Sequence, residues 1–359
     1  MNPVERVVKK IDNWQQRFSP AGFVFGVVKK FGDDNGGVLV ANLTYTVFVT
    51  LFPLLLVFTT VLGLIAVYDP AFKTAAENAV ADQVPVIGHT LTSQVSTLKR
   101  SSIIGLIVGL VVTIWGSLGL AQAGLYTMGH VWNLPGPERP GYLPRLGRSM
   151  LFLALLAGGV IATTALTSLS TYGGNQPLSL LAFAEASAAA VNAGMFVGAF
   201  RILTPKGVET RDLVPGAVIG GMLWTVLQVL GTYLVHLFLH SDSVYGEFAT
   251  VLGLIAWLYL AARIVVYCAV VNVVLARHLW PRSILQPPLT EADKESLELR
   301  ALESQQRAEQ QVHVTFSDLD SAVGPPAAPG AVPPARPAPP ADQAPPDDPV
   351  KPAANRRAP

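Results

Sequence analysis

The sequence predicts an all-α, polytopic membrane protein: a six-transmembrane-helix bundle with a disordered, Pro-rich C-terminal tail. Three observations predict it. Of the 359 residues, 51% are hydrophobic and only 14% are charged, against about 25% charged in an average soluble domain. Six apolar runs each reach the roughly 20 residues that a helix needs to cross a hydrocarbon layer about 30 Å thick. Lys and Arg gather in alternate connections between these runs, as cytoplasmic loops do. A soluble helical core does not repeat near-uncharged runs of this length six times.

The first run extends from about Val38 to Tyr68, the second from Ile103 to about Val131, and the third from about Ser149 to Leu169. The fourth extends from Leu178 to about Leu203, the fifth from Leu213 to Leu239, and the sixth from about Phe248 to Ala276. Amphipathic periodicity inside them is weak, because lipid wets one face and other helices the opposite one. Orientation follows from the bases. The N-terminal segment carries Arg6, Lys9, Lys10, Arg17, Lys29 and Lys30. The connection between runs two and three carries Arg139, Arg145 and Arg148, and that between four and five carries Arg201, Lys206 and Arg211. Arg277 and Arg282 follow run six. On the other side, Tyr172 to Pro177 and His240 to Gly246 hold no Lys or Arg; only the first outer loop, with Lys73, Lys99 and Arg100, breaks the trend. Both termini are therefore expected in the cytoplasm. The first run starts after about 37 polar and mixed residues without a small-residue cleavage site, so a cleaved signal peptide is not expected.

The segments outside the runs divide into four. Residues 1–37 form a juxtamembrane arm in which Val4, Val7, Val8, Ile11 and Trp14 recur at helical spacing beside Arg6, Lys9 and Lys10. That pattern fits either an amphipathic helix lying on anionic lipid or one packed beneath the bundle. Residues 38–282 form the six-span domain, with an outer loop at 69–102 that reads as two short amphipathic helices. Residues 283–323 are charged, and Thr290 with Asp293 marks a helix start. Residues 324–359 are Pro- and Ala-rich; fifteen of the 28 prolines fall after residue 286. Such a composition cannot bury a core and is expected to be disordered.

Few residues point to catalysis. No Walker loop, dinucleotide fingerprint, nucleophile elbow or zinc-protease helix occurs. One cysteine, Cys268, excludes a disulfide framework and any Cys-based metal cluster. His236 and His240 share a helical face, with Asp242 or Glu247 as a third ligand, but interfacial histidines without a ligand role are the simpler reading. The formal net charge of +1 gives no reason to expect a nucleic-acid partner. Neither a cofactor nor a metal is expected.

Polar groups inside the spans carry more information. An ionisable residue at the bilayer centre costs a few kcal/mol, so it turns toward protein or water. Glu185 in span four and Arg263 in span six are such residues. Among the neutral polar residues, amides need the most partners, which singles out Asn42, Gln122, Asn192, Gln228 and Asn272; three of them, Asn42, Asn192 and Asn272, join Glu185 and Arg263. Together these five residues outline an expected polar pathway between spans one, four and six. Pro53, in the middle of span one, removes a backbone hydrogen bond and is expected to kink the helix.

Several segments in order resemble the BrkB/YihY family of bacterial inner-membrane proteins. Ala41-Asn42-Leu43-Thr44-Tyr45 leading into Leu51-Phe52-Pro53-Leu54-Leu55-Leu56 resembles its first span. Arg201 to Pro205, then Arg211 to Ala217 and Leu223-Trp224, resemble its entry to span five. Ser243 to Gly246 and Leu254 to Leu260 resemble the outer turn and span six. The resemblance covers roughly Gly36 to Arg282. It implies a six-span protein of the bacterial cytoplasmic membrane, in a family once labelled ribonuclease BN-like and linked to serum resistance and envelope lipid traffic. The family commonly has Gly-Ala-Glu-x-Asn in span six. Here Cys268-Ala269-Val270-Val271-Asn272 stands instead, so Val270 replaces the acid. The resemblance implies a non-enzymatic protein that handles or transports a lipid or amphipathic envelope component, with membrane lipids as partners. The alternative is a scaffold for envelope integrity that recruits envelope or cytoplasmic proteins through its tail. No metal site or basic RNA groove supports the ribonuclease label. The sequence sets no oligomeric state.

Overall fold

The computed structural model describes residues 3–65, 103–171, 178–204, 207–238, 246–286 and 288–316. The outer loop expected at 69–102 and the tail at 324–359 lie outside them, as do His240 and Asp242. The described residues form α-helices α1 (Pro3–Arg17), α2 (Ser19–Asp33), α3 (Gly36–Ile65), α4 (Ile103–Val131), α5 (Tyr142–Thr171), α6 (Leu178–Leu203), α7 (Thr210–Phe238), α8 (Gly246–Arg277) and α9 (Glu291–Glu303), with one 3-10 turn at Gly136–Glu138. No strand occurs among them. A compact unit ending at Val314 holds these helices.

Six of these helices, α3 to α8, run 26 to 32 residues, or about 39–48 Å at 1.5 Å per residue. They cover the described residues of the six apolar runs. They outlast them where polar residues continue the helix, as Arg145 and Arg148 do at the start of α5. Among the described residues, Thr210–Gly231 and Val251–Arg277 are long and apolar enough to cross a membrane; Gly36–Leu51 and Ala189–Leu203 are shorter apolar stretches.

The six long helices pack in chain order, α3 on α4, α4 on α5 and so on, and α8 closes the circuit on α3. α8 also touches α4 and α2, which makes it the axis of the core. Val266, Ala269, Val270, Val273 and Val274 of α8 are buried against Val40 and Leu43 of α3, Met128 of α4, Phe200 of α6 and Leu213 of α7. Small residues let α7 and α8 approach. A Cβ added to Gly216 of α7 would stand 2.2 Å from the Cys268 carbonyl oxygen and 2.6 Å from Oδ1 of Asn272. In lipid, such close packing and interhelical hydrogen bonds take over the work that apolar burial does in water. The outward faces remain apolar: Val111 and Trp115 of α4, Met222, Val226 and Val229 of α7, and Val251 and Leu252 of α8 are exposed.

The arm forms two helices. α1 turns its polar side to the protein and exposes Val7, Ile11 and Trp14, while Asp12 and Gln15 are buried. Asp12 Oδ1 accepts from the Ile284 backbone N–H at 3.0 Å, and Gln15 donates to the Arg282 carbonyl at 2.6 Å. The apolar stripe that the sequence spacing marks on α1 therefore faces away from the bundle. α9 starts with the expected cap: Asp293 N–H donates to Thr290 Oγ1 at 3.2 Å, and the Asp293 carboxylate accepts from the Thr290 N–H.

Candidate functional site

The short connection from α4 to α5 places three arginines around one cavity. The 3-10 turn at Gly136–Glu138 brings Arg139 back beside the end of α4, where the carbonyl of Leu134, just past the helix, accepts from Arg139 Nε at 3.3 Å. Arg145 and Arg148, three residues apart, then share one side of the first turns of α5. The cavity measures about 400 Å³. Its walls are Asn42 and Thr46 of α3, Gln122 and Tyr126 of α4, the three arginines, and Leu203 of α6. No carboxylate lines it among the described residues.

The three guanidinium groups differ in how they are satisfied. Arg148 donates to the Thr204 carbonyl at 3.2 Å, at the C-terminal end of α6, where a cation meets the negative end of the helix dipole. Burial, followed by the charge of Arg201, holds the Arg148 pKa below the usual guanidinium value. Arg139 donates to Glu303 Oε1 of α9 at 3.1 Å. Arg145 is half-buried, and its side chain has no hydrogen bond or ion pair among the described residues. Asn42 and Gln122 likewise present unpaired amides to the cavity.

Arg139 also lines a second cavity of about 370 Å³, together with Asp33, Asp34, His130, Arg300 and Glu303. Glu303 is the carboxylate between the two. Besides Arg139 it meets His130 Nδ1 at 2.5 Å and accepts from Asn133 Nδ2 at 2.9 Å.

Behind this second cavity lies a buried charge network. Lys30 is fully buried and donates to Asp34 Oδ2 and to Asn133 Oδ1, each at 2.5 Å. Burial pushes the Lys30 pKa down and the Asp34 pKa up, and their mutual attraction only partly offsets this. Asn133 reaches its position through left-handed backbone at φ 48°, which Asn tolerates better than most residues. Asp293 of α9 is the other hub. It accepts from Lys29 Nζ at 2.8 Å, Arg282 Nε at 2.9 Å and the Ser283 N–H at 2.9 Å. Burial works to raise its pKa, but the bonds from Lys29, Ser283, Arg282 and Thr290 prevail and hold it well below the carboxylate range. Arg282 also pairs with Asp33 at 2.8 Å.

The five residues expected to outline a pathway are dispersed. Asn42 alone lines the cavity. Asn192 is buried in α6. Asn272 is fully buried and its Oδ1 accepts from the Gly216 N–H at 2.7 Å, next to Pro215 inside α7; its Nδ2 has no partner among the described residues. Arg263 is exposed, with its guanidinium 5.6 Å from the Tyr267 ring centroid. Val270, on the same face by spacing, is buried. Glu185 lies within α6 and Pro53 within α3; their side chains are outside the described set. α3 and α8 pack together, and α6 reaches them through α4 and α7. Among the described residues no three His, Cys, Asp or Glu stand together as metal ligands. In the sequence Arg139, Arg145 and Arg148 signal orientation, and nothing in it points to Glu303. Of the cavity residues, Asn42 and Gln122 stand out in the sequence as amides within spans, and the three arginines as a cluster within ten residues.

The profile of the family described as Virulence factor BrkB matches residues 27–288. A UPF0761 membrane protein of Pseudomonas paraeruginosa is 28% identical over 277 residues, covering 72% of this chain and 64% of the relative. One from Idiomarina loihiensis is 24% identical, covering 76% of this chain and 96% of the relative. The inner membrane protein YhjD of Escherichia coli is 22% identical, covering 71% and 81%. The chain thus aligns with less than two thirds of the length of its Pseudomonas relatives. No solved structure matches it.

Proposed function

Because the chain belongs to the Virulence factor BrkB family and its relatives are membrane proteins, we propose that it crosses the cytoplasmic membrane six times. Both termini face the cytoplasm, and the protein handles or moves a lipid or amphipathic envelope component. Support for the topology comes from the six long helices over the apolar runs, their apolar outward faces, and the Lys- and Arg-rich connections at one end. The exposed stripe of α1 fits the inner lipid surface, with Lys9 and Lys10 near the anionic headgroups.

One observation carries the functional reading: a cavity lined by three arginines and two amides together with apolar residues such as Leu203 and Ala123. Arg145, half-buried and without a protein acceptor among the described residues, leaves its donors to water or a ligand. An amphipathic ligand has a matching polar head and apolar body. The test is reconstitution into liposomes with labelled lipids, comparing wild type, Arg145→Glu, Arg263→Leu and protein-free vesicles. Faster transbilayer movement with wild type, reduced by Arg145→Glu, supports the reading. Equal movement with and without protein contradicts it and leaves the scaffold alternative standing.

A further inference from the structure

We propose that the cavity is a phosphate site, in which Arg139, Arg145 and Arg148 receive a phosphate group and Glu303 competes with it for Arg139. The inference rests on the membrane reading in one respect: it places the site at the inner surface, where lipid phosphates lie.

The cavity's volume of about 400 Å³ falls within the roughly 300–1,000 Å³ typical of ligand sites. Its charge is one-sided, with three guanidinium groups and no carboxylate in the lining among the described residues. Guanidinium forks match phosphate oxygens two at a time. Arg145 has all its donors free of protein acceptors among the described residues, and Arg148 uses Nη1 on Thr204 while its remaining donors have no acceptor among those residues. Among the described residues Glu303 neutralises Arg139 alone of the three, at 3.1 Å. Glu303 keeps His130 and Asn133 as partners if Arg139 turns away, so the exchange gives up one ion pair and leaves no buried carboxylate unpaired. α9 thereby holds one of the three arginines in reserve.

The full-length protein in a phosphate-free, uncharged detergent is titrated with three probes: a short-chain phosphatidic acid, inorganic phosphate, and the matching diacylglycerol. Phosphatidic acid is expected to bind and diacylglycerol not to. Binding of phosphatidic acid alone identifies a lipid headgroup site; equal binding of inorganic phosphate identifies a free phosphate site. Both outcomes uphold the phosphate chemistry. Arg145→Glu should weaken binding by about tenfold or more, and Arg145→Lys, which keeps the charge without the fork, by less. Glu303→Gln should tighten it a few-fold, about the scale of one partly exposed ion pair. Equal binding of diacylglycerol, or unchanged affinity in folded Arg145→Glu, overturns the proposal. Lipid movement in liposomes without Arg145-dependent binding overturns this site and leaves the lipid reading. Arg145-dependent binding without movement does the converse.

Discussion

At the same end of the bundle, Asp293 and Arg145 show opposite treatments of charge. Asp293 has fully buried carboxylate oxygens met by a lysine, an arginine, a hydroxyl and two backbone N–H groups. Arg145 borders a cavity without an acceptor among the described residues. Burying a charge without partners is costly, so the first arrangement is needed merely to fold. The second is sustainable only where water or a ligand completes it. Sorting charged residues by how fully the protein satisfies them separates the device that fastens α2 and α9 to the bundle from the one open to a ligand.

The largest break in that contrast should come at Asp293. Asp293→Ala leaves Lys29 and the nearly inaccessible Arg282 without their shared carboxylate, and should destabilise the protein by about 3–5 kcal/mol. The effect is read as a fall in the thermal midpoint in detergent. Asp293→Asn sharpens it through pH. The Asp293 pKa lies below its ordinary value of 3.8, so its stabilisation is complete above that pH and is lost as the pH falls toward the lower folded value. The gap between wild type and Asp293→Asn should therefore be widest near neutrality and close in acid.

The buried Lys30–Asp34 pair should come next. Lys30→Met alone leaves Asp34 inside without its cation and should cost about 3 kcal/mol. Lys30→Met with Asp34→Leu should recover most of that loss, since a buried pair pays heavily for desolvation. Melting curves of the two single variants and the double one form the cycle that measures it. Within the core, Gly216→Ala should cost about 1–3 kcal/mol by forcing α7 from α8. Asn272→Val should cost about 1 kcal/mol by removing the acceptor of the Gly216 N–H. Comparing unfolding of these two variants shows whether close approach or the hydrogen bond governs that contact.

Much of the helical framework was legible in the sequence, because long uncharged runs leave a helix as the only economical way to satisfy the backbone in lipid. The cap of α9 was legible too, since Thr290 and Asp293 lie three residues apart. The second role of Asp293 was not, because Lys29 lies 264 residues away and nothing local announces that meeting. Asn272 stood out by its need for partners, but the partner, a backbone N–H beside Pro215, is set by packing alone. In the sequence Arg139, Arg145 and Arg148 are indistinguishable from loop bases. The same charges that orient a loop can also line a cavity, and only the fold of that connection tells the two uses apart.

The most direct test combines stability and ligand binding in one variant, Arg145→Glu. Its thermal midpoint should stay close to wild type, within the roughly 0.5 kcal/mol expected of a side chain without protein partners, while phosphatidic acid no longer raises that midpoint as it does for wild type. An unstable variant, or one that phosphatidic acid stabilises as fully as wild type, would place Arg145 with the fastening residues or outside any site and contradict the division between the two groups.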